Sequence, residues 1–104
     1  MNIKIPEGRV LQGRVIAIEP TKDTYKGEDG NLYTKHIFTV ELLRWSKKKE
    51  GFLELPEELK GKKVKLVRYT CYDWHLKIGS LKNLTEEETK AVIDGKPTQN
   101  VFWD

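Results

Sequence analysis

Polar and apolar residues alternate through most of this chain at the two-residue period of β-strands. In Lys62 to Lys77, KKVKLVRYTCYDWHLK, Val64 and Leu66 fall on one side and Lys63 and Lys65 on the other, the one-side-wet pattern of an antiparallel strand. A bend near Asp73 divides this stretch into two expected strands, Lys62 to Tyr72 and Trp74 to Ile78, closed by Gly79-Ser80. Leu32 to Trp45 alternates in the same way, with Phe38, Val40 and Leu42 opposed to Lys35, Thr39 and Glu41. Arg9 to Glu19 is a further strand, rich in β-branched residues and interrupted by Gly13. A glycine there marks a bulge or sharp bend, and Pro20 is expected to end the strand. Phe52 to Leu55 is a short fifth candidate.

The segments between them carry turn chemistry. Thr21 to Asn31, TKDTYKGEDGN, is a turn-rich connection or the tip of a long hairpin. Ser46 to Glu50 is an exposed turn with three successive lysines. Pro56-Glu57-Glu58 suits a first helical turn, and Gly61 stops it at once. Thr85-Glu86-Glu87-Glu88 fits a capping box, with Gly95 placed as the stop of a short helix. Residues 97–104 show no period, so Val101, Phe102 and Trp103 either pack back on the body or form a binding tag. The expected class is all-β with minor α, divided into a domain over residues 1–96 and a hydrophobic, acidic tail over residues 97–104.

Composition narrows the function classes. A chain of 104 residues with 34% charged and 38% hydrophobic side chains suits one soluble domain with a modest core. No apolar run reaches the roughly 20 residues of a membrane span, and an intracellular, cytoplasmic location is expected. A single Cys71 and two histidines, His36 and His75, predict neither a disulfide nor a zinc site, and no cofactor is expected. The Lys- and Glu-rich composition has a thermophile character. Residues 1–84 hold 17 Lys/Arg against 11 Asp/Glu, a balance of +6, whereas residues 85–104 hold 2 against 5, a balance of −3. A basic body favours contact with a polyanion.

Catalytic constellations are thin. The carboxylates at 57–58 and 86–88 sit at helix starts, where capping accounts for them, and His36 alternates in phase with Phe38 as a satisfied strand histidine would. A non-enzymatic binding protein is therefore expected. Tyr69, Tyr72 and Trp74 lie beside Arg68, His75 and Lys77, the mixture of flat rings and cations used to hold single-stranded nucleic acid. Tyr25 stands in a polar loop between Lys22 and Lys26, where exposure is expected.

Short strands, a glycine in the first and a helical turn between the third and fourth describe a small five-stranded OB-like β-barrel. The string GRVIAIEPTKDTYKGEDGNLYTKHIFTVEL resembles the opening of replication-protein-A-like and other single-stranded DNA-binding OB domains, over about residues 9–45. The pattern departs after Glu41, where Leu42-Leu43-Arg44-Trp45 replaces an acidic residue and glycine turn. The resemblance implies a ligand across strands two and three and the flanking loops, at Lys22, Tyr25, Lys26, Tyr33, Lys35, Arg44 and Trp45, with Tyr72, Trp74 and His75 at the far loop. Lys63 and Lys65 join from the wet face of the strand described first. The expected ligand is single-stranded nucleic acid, DNA slightly ahead of RNA. The competing expectation is a protein-interaction module, such as a small viral or accessory subunit, that docks through a strand edge and the Val101-Phe102-Trp103 tail.

Overall fold

The computed structural model describes residues 3–72 and 76–104. Its centre is a long antiparallel hairpin of β1 (Val10–Lys26) and β2 (Leu32–Ser46), in register from Val10 opposite Ser46 to Lys26 opposite Leu32. A straight strand of 17 residues would measure about 55 Å, yet the longest dimension of the molecule is 42 Å. The hairpin therefore curls, and its register shifts at Gln12/Gly13, Val15/Ala17 and Pro20/Thr24 are where bulges allow it to bend. Gly13 is required at the first of them. A Cβ at that position would stand 2.8 Å from the Glu41 carbonyl oxygen.

β1 does not end at Pro20. The proline lies opposite His36 next to the third register shift, and pairing resumes at Thr24 opposite Thr34. A bulge is one of the places where a sheet tolerates a residue with no N–H to donate, so the expected loop from Thr21 becomes the far part of the hairpin.

Beyond the hairpin, β3 (Phe52–Glu54) pairs with the end of β2, and β4 (Lys63–Thr70) pairs with β2 from Glu41 opposite Lys63 to Thr34 opposite Thr70. Between them Pro56 starts a hydrogen-bonded turn, its carbonyl accepting from Leu59 N at 3.0 Å and Lys60 N at 3.1 Å. That turn drives Leu55 and Leu59 into the core. β5 (Leu81–Asn83) pairs with β1 at Gln12–Arg14. The expected strand Trp74 to Ile78 is replaced here: residues 73–75 lie outside the described residues, and Ile78 is in a turn. Gly79 adopts φ 90° there and donates to the Val15 carbonyl at 2.7 Å, so the chain rejoins the sheet only after the turn.

The helix α1 (Glu86–Asp94) begins as the capping-box pattern predicts. Thr85 accepts from Glu88 N at 3.1 Å while the Glu88 carboxylate accepts from Thr85 N at 2.9 Å, and Gly95 closes the helix at φ 70°. α1 buries Ala91, Val92 and Ile93. Finally, β6 (Val101–Phe102) pairs with β4, placing Val101 opposite Leu66. The six strands form one mostly antiparallel sheet in the order β5-β1-β2-β4-β6, with β3 attached to β2 and the path left open at both ends. Phe38, Val40, Leu42, Val64, Leu66 and Val101 are fully buried at its centre. The protein is thus all-β with one short helix. Among the described residues no helix is long and apolar enough to cross a membrane.

Candidate nucleic-acid interface

The far tip of the β1/β2 hairpin is built to display aromatic rings. Gly27 N donates to Asn31 O at 2.8 Å and Gly30 N to Gly27 O at 3.0 Å, with Gly30 at φ 83°. This tight turn puts Tyr25 directly opposite Tyr33. Their rings stack at 5.1 Å between centroids and 9° between planes, and Tyr69 from β4 meets Tyr25 edge-on at 5.0 Å and 65°. Both arrangements suit the quadrupoles of aromatic rings. Tyr25 is 49% exposed and Tyr69 45% exposed, so the cluster offers free ring surface and is not core.

Asp29 fixes the cluster from the turn. Its carboxylate accepts from the Tyr33 hydroxyl at 2.7 Å and from Asn31 N at 3.0 Å. These bonds hold the Asp29 carboxyl below its ordinary 3.8. The same bond to Asp29, with help from the Cys71 side chain, raises Tyr33 well above its ordinary 10.0. Tyr33 is thereby locked as a donor across the neutral range.

Lysines share the face. Lys35 lies opposite Tyr69 in the β2/β4 register, and along β4 Lys63, Lys65, Val67 and Tyr69 alternate with the buried Val64 and Leu66. Side chains two apart on a strand point to the same side. Lys63 to Tyr69 therefore forms a row about 20 Å long, with Tyr25 and Tyr33 beyond its end. Phe102 lies opposite Lys65, whose ammonium is 5.9 Å from the ring centroid. Acids share this face as well: Lys35 meets Asp23 at 3.5 Å, Lys65 meets Asp104 at 3.8 Å, and Glu41 lies opposite Lys63. Exposed pairs of this kind contribute little.

The structure thus brings together Tyr25, Tyr33, Lys35, Lys63 and Lys65, with Lys22 and Lys26 exposed near the same tip. Arg44 and Trp45 are at the opposite end of β2 and do not join them. Trp45 is 3% exposed within the core, because the residues before the β2 end are covered by the turn that carries Leu55 and Leu59. Arg44 donates from Nε to Gln12 Oε1 at 2.6 Å and lies 3.6 Å above the Phe52 ring. Tyr72 is exposed near the tyrosine cluster, and Trp74 and His75 lie outside the described residues. The tail is a strand of the sheet: Val101 is fully buried, while Phe102 and Trp103 are half-buried, with the Lys62 ammonium 5.1 Å from the Trp103 ring. Val101 therefore cannot serve as an anchor for a partner.

Three further residues lie beside the cluster: Tyr69 and Arg68, part of the aromatic and basic mixture in the sequence, and Lys82, outside every sequence candidate. Tyr69 completes the ring cluster. Arg68 forms a two-pronged pair with the buried Glu88, Nη1 to Oε2 at 2.7 Å and Nη2 to Oε1 at 2.6 Å. Lys82, from β5, reaches over the Phe38 ring at 4.5 Å. Arg68 and Lys82 line a groove of about 370 Å³ with Tyr33, Tyr69, Thr70, Cys71 and Tyr72. The aromatic and basic interleaving after Lys65 pointed to Arg68 and Tyr69, whereas nothing near Lys82 in the sequence marks it.

His36 is buried, with Nδ1 3.0 Å from Thr34 O and 3.1 Å from Thr70 Oγ1. Among the described residues no group of three or more His, Cys, Asp or Glu could hold a metal ion. Compared with known protein families, with curated proteins and with solved structures, the chain has no match.

Proposed function

We propose that this protein is a non-catalytic, single-stranded nucleic-acid-binding protein, with a strongly curled sheet that works as an OB-like barrel. One observation carries the reading: Tyr25, Tyr33 and Tyr69 form one partly exposed ring cluster on the same face as Lys35, Lys63 and Lys65. Rings of this kind stack bases at about 1–3 kcal/mol each, and the lysines displace counterions along the phosphates. Neither contact reads a base edge, so little sequence preference is expected, and DNA is only slightly favoured over RNA. Tyr69→Ala tests the reading in an anisotropy titration with a labelled oligonucleotide. Binding should weaken about tenfold with the melting temperature little changed. Unaltered affinity in that variant contradicts it.

A protein partner is the second reading, and one observation favours it. β3 pairs only with β2 among the described residues, and it presents Phe52 and Leu53 to solvent, an apolar edge of the kind that accepts another chain. Substituting Leu53→Lys should abolish capture of such a partner and spare oligonucleotide binding.

A further inference from the structure

The groove beside the tyrosine cluster is cationic. Its lining includes two cations, Arg68 and Lys82, and no carboxylate. Arg68 is already spent on Glu88, which holds it in a fixed position as one wall. Lys82 is not spent. Among the described residues no carboxylate pairs with it, and its ammonium rests on the Phe38 face at 4.5 Å. Burial, and secondarily the Arg68 charge, hold its pKa below the ordinary 10.5.

A partly desolvated ammonium beside a second cation lacks a counter-anion. Tyr33, Tyr69 and Tyr72 line the same groove, so rings and the unpaired charge are presented to one space. Its volume of about 370 Å³ falls within the range of small-molecule sites, about 300–1,000 Å³. An aromatic base carrying a phosphate ester satisfies both requirements together. We propose that this groove is a nucleotide subsite, in which one nucleotide of the bound strand places its phosphate on Lys82 and its base against the tyrosine rings. The assignment rests on the nucleic-acid reading above and adds a defined binding position to it.

The test uses the full-length chain with adenosine monophosphate, inorganic phosphate and a labelled single-stranded oligonucleotide as separate probes. Lysine acetylation followed by mass spectrometry reports on Lys82 in the unmodified protein. The nucleotide should shield Lys82 from acetylation, and phosphate should need at least about ten times the concentration to do so. Lys82→Met keeps an apolar stem over Phe38 and removes the charge. It should weaken nucleotide binding at least fivefold and lower the salt slope of oligonucleotide binding by about 0.7, while Lys82→Arg retains both. Equal shielding by phosphate and nucleotide overturns the assignment, because the rings then take no part. If the oligonucleotide binds and Tyr25→Ala weakens it, yet Lys82 is neither shielded nor needed, the subsite is wrong and the wider reading stands. If no oligonucleotide binds but the nucleotide shields Lys82, the groove is a nucleotide site and the wider reading is wrong.

Discussion

Replacing Glu88 tests how the groove wall is held. Its buried carboxylate accepts three hydrogen bonds: two from Arg68 at 2.7 and 2.6 Å, and one from Thr85 N at 2.9 Å. Glu88→Ala removes all of them. Losing the carboxylate arm of the capping box costs about 1 kcal/mol, by analogy with other cap deletions. A charge-assisted bond contributes about 1.5–3 kcal/mol, but the Arg68 side chain is 26% exposed and regains water once released. Counting the two-pronged pair once, at the lower end of that range, gives a total of about 2.5 kcal/mol. In a domain of this size each kcal/mol moves the melting temperature by about 4–8 °C, so a fall of about 10–20 °C is expected by circular dichroism. Glu88→Gln keeps the Oε1 acceptor and should lose about half as much. Because the pair is largely buried, the difference should persist in 1 M salt, where exposed pairs are screened. A cost below about 0.5 kcal/mol for Glu88→Ala, the usual size of a surface change, refutes the reasoning and leaves Arg68 free to move.

Three further outcomes follow from the packing and the charges. Gly13→Ala forces a Cβ to within 2.8 Å of the Glu41 carbonyl oxygen and should cost about 1–3 kcal/mol in urea denaturation, the usual penalty of overpacking. Tyr33 should ionise above the ordinary tyrosine value of 10.0 in a spectrophotometric titration, because the Asp29 bond favours its protonated form. With Tyr33 raised above 10.0 and Asp29 lowered below 3.8, that bond stabilises the tip fully between those values, weakening as pH rises above the first or falls below the second. Asp29→Asn should return Tyr33 toward 10. Removing residues 101–104 deletes the fully buried Val101 and its strand, and burial of such a side chain contributes about 1.5–3 kcal/mol. The truncated chain should therefore melt earlier, and a truncation that leaves stability intact contradicts the place of β6 in the sheet.

Much of the fold was readable where local signals and packing agree. β2 ends one residue from its expected limit because its alternation is long and uninterrupted. The capping box at Thr85 and the stop at Gly95 are local hydrogen-bond and backbone requirements, and both are met. β1 was cut short because Pro20 is a strand breaker unless a bulge accommodates it, and the bulge depends on the pairing with β2. β5 is three residues long and is defined by its partner, not by its own pattern. The tail looked aperiodic for the same reason: only two of its residues pair with β4. At the candidate site, Tyr25 and Tyr33 could be named from the polar loop and its resemblance, and Lys35, Lys63 and Lys65 from alternation. Trp45 looked like a stacking residue because nothing in the order of residues tells an exposed strand end from one covered by a following turn. Lys82 carries no local signal, since its position depends on pairing with Gly13, far away in the chain.

The most direct test of the account is oligonucleotide affinity as a function of salt, measured by anisotropy for the unmodified protein. If Lys35, Lys63 and Lys65 each neutralise one phosphate, the logarithm of the binding constant should fall with the logarithm of salt at a slope near −2, from about −0.7 per contact on a single strand, and near −2.8 with the Lys82 contact added. Affinity should then drop roughly 20-fold from the three contacts, or roughly 50-fold from all four, between 50 and 200 mM salt, and Tyr25→Ala should weaken binding at every salt concentration without altering that slope. Absence of binding at 50 mM, or an affinity indifferent to salt, contradicts the account.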